Sequence, residues 1–147
     1  IPERPIWVMA EESALVRIFL NLLQNAGRYA DSFLRISMKE DDENVLISFI
    51  NDTNMLSEDD IPHLFNRFYM QDSSRNQGGT GLGLTVAKLL AEEMGGVLEV
   101  SIIDKESLNS EKYKFTICFK LCIKVIKKWG GSNEKIVLIS NYKIYSD

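Results

Sequence analysis

Four glycines, Gly78, Gly79, Gly81 and Gly83, fall within six residues, and LTVAKLLAEEM follows them with an apolar helical pattern. Glycine lets the backbone reach positive φ and come close to another object. A helix N-terminus points unpaired N–H groups, carrying partial positive charge, at whatever lies ahead of it. Together they make an anion site, most often one for phosphate. A second constellation lies upstream, where Asn21, Asn25 and Arg28 recur at helical spacing with Arg17 one turn earlier. Asparagine is a poor helix former without a task. Its side-chain oxygen is a hard, neutral ligand suited to Mg²⁺, and arginine suits phosphate.

The elements that would hold these residues can be read from periodicity. The spacing predicts a short strand over 5–9 and a helix over 11–30, whose Leu15, Ile18, Phe19, Leu22, Leu23 and Ala26 form an apolar stripe. Alternation predicts strands over 32–39 and 44–50, joined by the acidic turn EDDEN. SEDD, with Ser57 as cap, opens an expected helix over 57–68. A polar, glycine-rich stretch over 71–81 leads into a helix running to about Met94 and stopped by Gly95-Gly96. Strands follow over 97–103 and 113–129. GGSN then turns the last of these toward a partner strand in KIVLIS, unless the tail is a disordered end. Strands and helices mixed without strict alternation predict an α+β two-layer sandwich with helices on one face of the sheet.

Composition excludes several classes. The 147 residues suit a single domain able to bury a core. A net charge of −4 gives no electrostatic reason to expect nucleic acid. No apolar run approaches the ~20 residues of a membrane span, and IPERPIWVM is no signal peptide. Cys118 and Cys122 lie four residues apart on a predicted strand, roughly 13 Å, too far for a disulfide between them. They read as reduced thiols.

FLNLLQNAGRYA resembles the N box of bacterial sensor histidine kinases, LFNRFYMQD their F box, and GGTGLGLTVAKLLAEEMGG their G2 box with its helix. Three boxes in order, from about residue 5 to 121, are specific where a lone glycine motif is not. Rival motifs fail: no Lys-Ser or Lys-Thr follows the glycines, and no strand precedes them. The resemblance implies the ATP-binding fold shared with Hsp90 chaperones, type II topoisomerases and mismatch-repair ATPases, a mixed sheet of about five strands. It places the catalytic domain over 1–121 and leaves 122–147 as an extension, a β-hairpin strand or a disordered tail.

The resemblance further implies ATP and Mg²⁺ as cofactors. Asn25, and secondarily Asn21, would hold the metal, and Asn25 and Arg28 would be the catalytic pair. Tyr29 would pack on adenine, and Phe68 belongs to the F box. Gly79, Gly81 and Gly83, with Thr80 and Leu82 between them, would cradle phosphates, while Arg75 and Gln77 would reach them from a lid over 71–81. That lid is expected to move freely without nucleotide and to order around the γ-phosphate. The adenine-reading aspartate of the family falls on Asn51 by an ungapped count from Phe65, or on Asp52 with a one-residue deletion, and both glycines of that box are replaced. Spacing from Phe49 favours Asn51, whose amide can accept or donate by flipping. The sequence therefore predicts weaker discrimination of ATP from GTP.

The family's phosphoacceptor histidine and its neighbouring base are not in this sequence. The one histidine, His63 in IPHLFNRF, lacks the acceptor box and reads as a surface residue. The expected partners are a dimerisation and histidine phosphotransfer domain of the same protein and a response regulator, with no nucleic acid. The expected location is the cytoplasmic side of a parent anchored in the cell membrane.

Overall fold

The computed structural model describes residues 6–69, 81–110, 112–125, 136–140 and 143–146. The elements run β1 (Ile6–Met9), α1 (Glu12–Tyr29), β2 (Leu34–Glu40), β3 (Asn44–Thr53), a 3₁₀ turn (Ile61–His63), α2 (Gly83–Glu93), β4 (Val97–Ser107), β5 (Tyr113–Lys124), β6 (Ile136–Ser140) and β7 (Lys143–Ser146). Four strands form one sheet in the order β2-β3-β5-β4, every pair antiparallel. The helices cover one face. Val45, Ile47 and Phe49 of β3 and Ile117, Phe119, Leu121 and Ile123 of β5 point into that layer and are buried.

α1 meets the sheet through Leu15, Ile18 and Leu22, with Phe19 set edge-on against Phe49 at 5.5 Å. α2 turns Ala87 and Ala91, both fully buried, toward the interior. Small residues one turn apart let it approach α1 closely. It stops where Gly95 takes φ +76.

The α+β sandwich expected from the sequence is present with a slightly different strand count, and two finer expectations need correction. The expected mixed sheet of about five strands has four, all antiparallel among the described residues. β1, the expected fifth, is not paired into this sheet: Val8 forms an isolated bridge with Val125, just past the end of β5, and β1 pairs with β6. β6 is therefore not the partner of β5, whose two edges are already taken by β3 and β4; it joins the separate sheet β1-β6-β7.

The helix expected over 57–68 is a series of turns around the 3₁₀ segment. Pro62 lies too far into such a helix to be tolerated, since it lacks the N–H owed to the carbonyl of Glu58. Asp60 also draws the local backbone elsewhere. Its Oδ2 accepts from the Ser57 N–H at 2.8 Å and the Ser57 hydroxyl at 3.1 Å.

Candidate functional site: the crevice between the two helices

α1 and α2 meet where the two sequence constellations lie. A Cβ added to Gly83, the first residue of α2, would sit 3.4 Å from Oδ1 of Asn21. The asparagine stripe of α1 thus faces the start of α2. Leu82, at the N-cap of α2, makes no side-chain cap hydrogen bond to the first-turn N–H groups. One turn along α1, Asn25 is 7% exposed, and its buried Nδ2 has no hydrogen-bond partner among the described residues. A buried amide N–H left unpaired costs about 1–3 kcal/mol. Arg28, half-buried, and buried Tyr29 complete the stripe toward the end of the helix.

β3 ends at Asn51, Asp52 and Thr53, all buried. Alternation puts Asn51 on the helix-facing side with Ile47 and Phe49, and Asp52 on the far side with Ser48 and Ile50. The Asp52 carboxylate is fully engaged there. Its Oδ1 accepts from the N–H of Ser32 at 2.8 Å and of Phe33 at 3.0 Å; its Oδ2 accepts from the Ser32 hydroxyl and lies 3.0 Å from Lys114 Nζ. Lys114 also pairs with Asp31 at 2.6 Å. Burial pushes the Asp52 carboxyl up, but these donors outweigh it and hold the group well below the usual carboxylate range. Asn51 and Asp52, alternatives in the sequence, therefore stand on opposite faces, and only Asn51 is on the helix-facing side.

The stem of the segment leading to the glycines is pinned. The Phe68 N–H donates to the carbonyl of Gly81 at 2.9 Å. Gly81 has φ +72, and a Cβ there would lie 2.6 Å from Phe68 Cα. Phe68 itself takes φ +63, rare for a bulky residue, and is 67% exposed. Phe65 anchors the inner side. Its ring meets Phe119 at 6.0 Å and Lys88 Nζ at 4.8 Å, and its carbonyl accepts from the Thr85 hydroxyl at 2.8 Å. Arg75, Gln77, Gly79, Thr80 and the lid over 71–80 lie outside the described residues.

Sequence reasoning missed two groups. Tyr69 donates its hydroxyl to the Asp60 carboxylate, which, together with burial, pushes the phenol up to about 12. Lys114 could have been placed only on the polar alternation of its strand, with no sign of its carboxylate partners. His63 is exposed, its Nδ1 3.1 Å from Asn66 Nδ2. An open pocket of about 610 Å³ beside Asn54, Met55, Ser57 and the β4–β5 hairpin includes none of the expected site residues. No helix among the described residues is long and apolar enough to cross a membrane.

Residues 10–123 match the family described as histidine kinase-, DNA gyrase B- and HSP90-like ATPase. The sensor histidine kinase YcbM of Bacillus subtilis (strain 168) is 38% identical over 124 residues, covering 82% of this chain and 38% of that protein. The signal transduction histidine-protein kinase BaeS of Escherichia coli (strain K12) is 38% identical over 95 residues, 62% of this chain and 20% of that protein. The chain thus spans well under half the length of these relatives.

Among solved structures, the mycobacterial sensor histidine kinase MprB superposes with a TM-score of 0.62 at 22% identity, covering 81% of this chain and 78% of that one. A nucleotide-free catalytic domain of the histidine kinase ThkA gives 0.60 at 20% identity, covering 78% and 69%. These two share the fold. The match along residues 10–123, over helices that bring Asn21 and Gly83 face to face, makes this chain a member of the histidine kinase-, DNA gyrase B- and HSP90-like ATPase family, a catalytic ATP-binding domain of the sensor histidine kinase type.

Proposed function

We propose that this chain binds Mg·ATP in the crevice between α1 and α2 and presents the γ-phosphoryl to a histidine on a separate dimerisation and phosphoacceptor domain. The observation that carries the reading is the buried Nδ2 of Asn25, unpartnered among the described residues, one turn along α1 from the Asn21 that faces Gly83. A triphosphate oxygen supplies the acceptor that this atom lacks. Asn25 Oδ1, seconded by Asn21, is a hard neutral donor of the kind Mg²⁺ takes. The bound ion would neutralise phosphate charge. The chain's own residues do the rest by position: first-turn N–H groups of α2 face the phosphates, and Arg28 offers a planar fork to their oxygens. Asn51 turns to the purine, and Tyr29 supplies an aromatic wall. Positioning and charge neutralisation are most of what phosphoryl transfer asks of a protein.

The acceptor and base would come from elsewhere in a longer protein, with a response regulator receiving the phosphoryl afterwards and a membrane anchor holding this domain on the cytoplasmic side. A second reading, a nucleotide sensor without transfer, is favoured by the loop after Asn51. There Thr53 and Met55 replace glycines, and the Met55 N–H is tied to the Thr53 hydroxyl at 3.2 Å.

Titration with Mg·ATP, followed by incubation with an added histidine-bearing hairpin domain, separates the two. Binding with label appearing on the hairpin supports the kinase; binding without transfer supports the sensor. The chain alone should take up no acid-labile label, and label abolished by His63→Ala would overturn that expectation.

A further inference from the structure

Past the end of β3, the chain over 54–57 and the hairpin joining β4 to β5 enclose an open cavity of about 610 Å³. Of its lining, Leu56 and Phe115 are buried, while Leu108 and Tyr113 stand exposed. Both sides are held in place by the protein itself. On one, the Met55 N–H donates to the Thr53 hydroxyl at 3.2 Å, and Asp60 holds Ser57. On the other, the Leu108 N–H donates to the Lys112 carbonyl at 2.9 Å and the Lys112 N–H to Asn109 Oδ1 at 2.8 Å. Lys105 ties the two sides together, 2.8 Å from Glu58 and 4.1 Å over the Tyr113 ring. A preformed, mainly apolar cavity of about 300–1,000 Å³ with a few polar groups is the usual form of a small-molecule site. Preorganisation of this kind lowers the cost of binding.

Charge selects the kind of molecule. Three lysines stand on or beside this hairpin. Lys105 is paired with Glu58, and Lys114 with Asp31 and Asp52. Lys112, which lines the cavity, has no carboxylate within ion-pair distance among the described residues, and no acidic residue is part of the lining. A lone cation at the edge of an apolar cavity complements an anion. The Met55 thioether and the Tyr113 and Phe115 rings, whose centroids lie 6.2 Å apart, suit a flat aromatic body. We propose that this cavity is a second ligand site, taking a small aromatic carboxylate whose ring lies among Met55, Tyr113 and Phe115 and whose anion meets Lys112. Its lining includes no residue of α1 or α2, so the proposal stands independently of the Mg·ATP reading.

The test titrates naphthalene-2-carboxylate, and naphthalene-2-carboxamide as its neutral counterpart, into the whole chain while backbone amide NMR shifts are followed. Saturable binding with a Kd of about 1 mM or tighter is expected, with the shifts concentrated on residues 54–57 and 108–115. The carboxylate should bind several-fold more tightly than the carboxamide. Lys112→Gln should remove that preference, and Leu108→Asp should weaken both probes by about tenfold or more. Both positions are exposed, so the amides of β2 and α1 should keep their wild-type shifts and report an intact fold. Equal affinity for the two probes overturns the proposal, as does binding that survives both substitutions. Shifts that fall instead on α1 and α2 place the probe in the other crevice and overturn it too. So does the absence of saturable shifts up to about 10 mM, ten times the expected Kd.

Discussion

The far side of the sheet and the crevice between the helices each bury a polar side chain, and they treat it in opposite ways. Asp52, 3% exposed, has every nearby donor turned toward it: two backbone amides, a hydroxyl and an ammonium. Asn25, 7% exposed, keeps a buried nitrogen with no acceptor among the described residues. A buried polar group that is fully paired fastens loops and strands together. One left incomplete costs stability, and on the proposed Mg·ATP reading a ligand supplies what it lacks. On that proposal, Asp52 fastens the fold and Asn25 waits for the ligand.

The largest effect should come from breaking the satisfied side. Asp52→Ala strips four donors of their acceptor and should cost about 3 kcal/mol in urea unfolding, because hydrogen bonds to a charged group are the strong ones. The carboxyl titrates lower in the folded chain than in the unfolded one. Its contribution is thus fully present above the ordinary carboxylate value near about 4 and drains away as pH falls below it. Wild type should lose stability on acidification through that range, and Asp52→Asn should lose distinctly less. Equal acid sensitivity would show that the cluster does not anchor the fold.

Next comes the unsatisfied side. Asn25→Ala should weaken Mg²⁺-dependent ATP binding by about a hundredfold, equivalent to about 2.7 kcal/mol, with unfolding changed by under about 1 kcal/mol. A collapsed melting temperature with unaltered ATP affinity would reverse the roles assigned to the two residues. Gly81→Ala forces a side chain into φ +72 against the Phe68 backbone. About 2 kcal/mol of strain is expected there, read as faster hydrogen exchange around Phe68 while β3 and β5 keep their protection.

The smallest effect belongs to Tyr69→Phe, about 1 kcal/mol for one hydrogen bond to Asp60. The phenol's value rises on folding from 10.0 to about 12, so the bond is fully effective below pH 10 and is lost as pH climbs toward 12. The phenylalanine variant should lack that alkaline loss. An identical alkaline profile for both proteins would remove the latch.

Much of this contrast could be read in the sequence, though unevenly. The asparagine stripe was visible because helical spacing puts residues 21, 25 and 28 on one side of a helix, and the helix formed where its apolar residues required it. Period-two alternation likewise placed Asn51 and Asp52 on opposite faces. The satisfied half was hidden. Nothing local ties Lys114 to Asp31 and Asp52, which meet it only through the pairing of β3 with β5, and Ser32 stood out only as the first residue of a predicted strand. The 57–68 segment misled because its polar opening resembles a helix start, whereas Pro62 and the Asp60 carboxylate act against continuation. β6 was legible as a strand, but its choice of β1 depended on β5 having no edge to offer.

That choice sets the order in which the chain can fold. β2 and β3 are joined by a tight turn, and β4 and β5 by a short hairpin, so their contacts close small loops. Pairing Ile6 with Ile139 instead closes a loop almost as long as the chain. Loop-closure entropy rises with the logarithm of that length, and contacts distant in sequence slow folding. On a ribosome, β1 emerges first and must wait, unpaired at an exposed edge, until β6 has been made. The β1–β6 seam is therefore the late step of folding, and refolding kinetics should show it as a slow phase that disappears when residues 126–147 are removed.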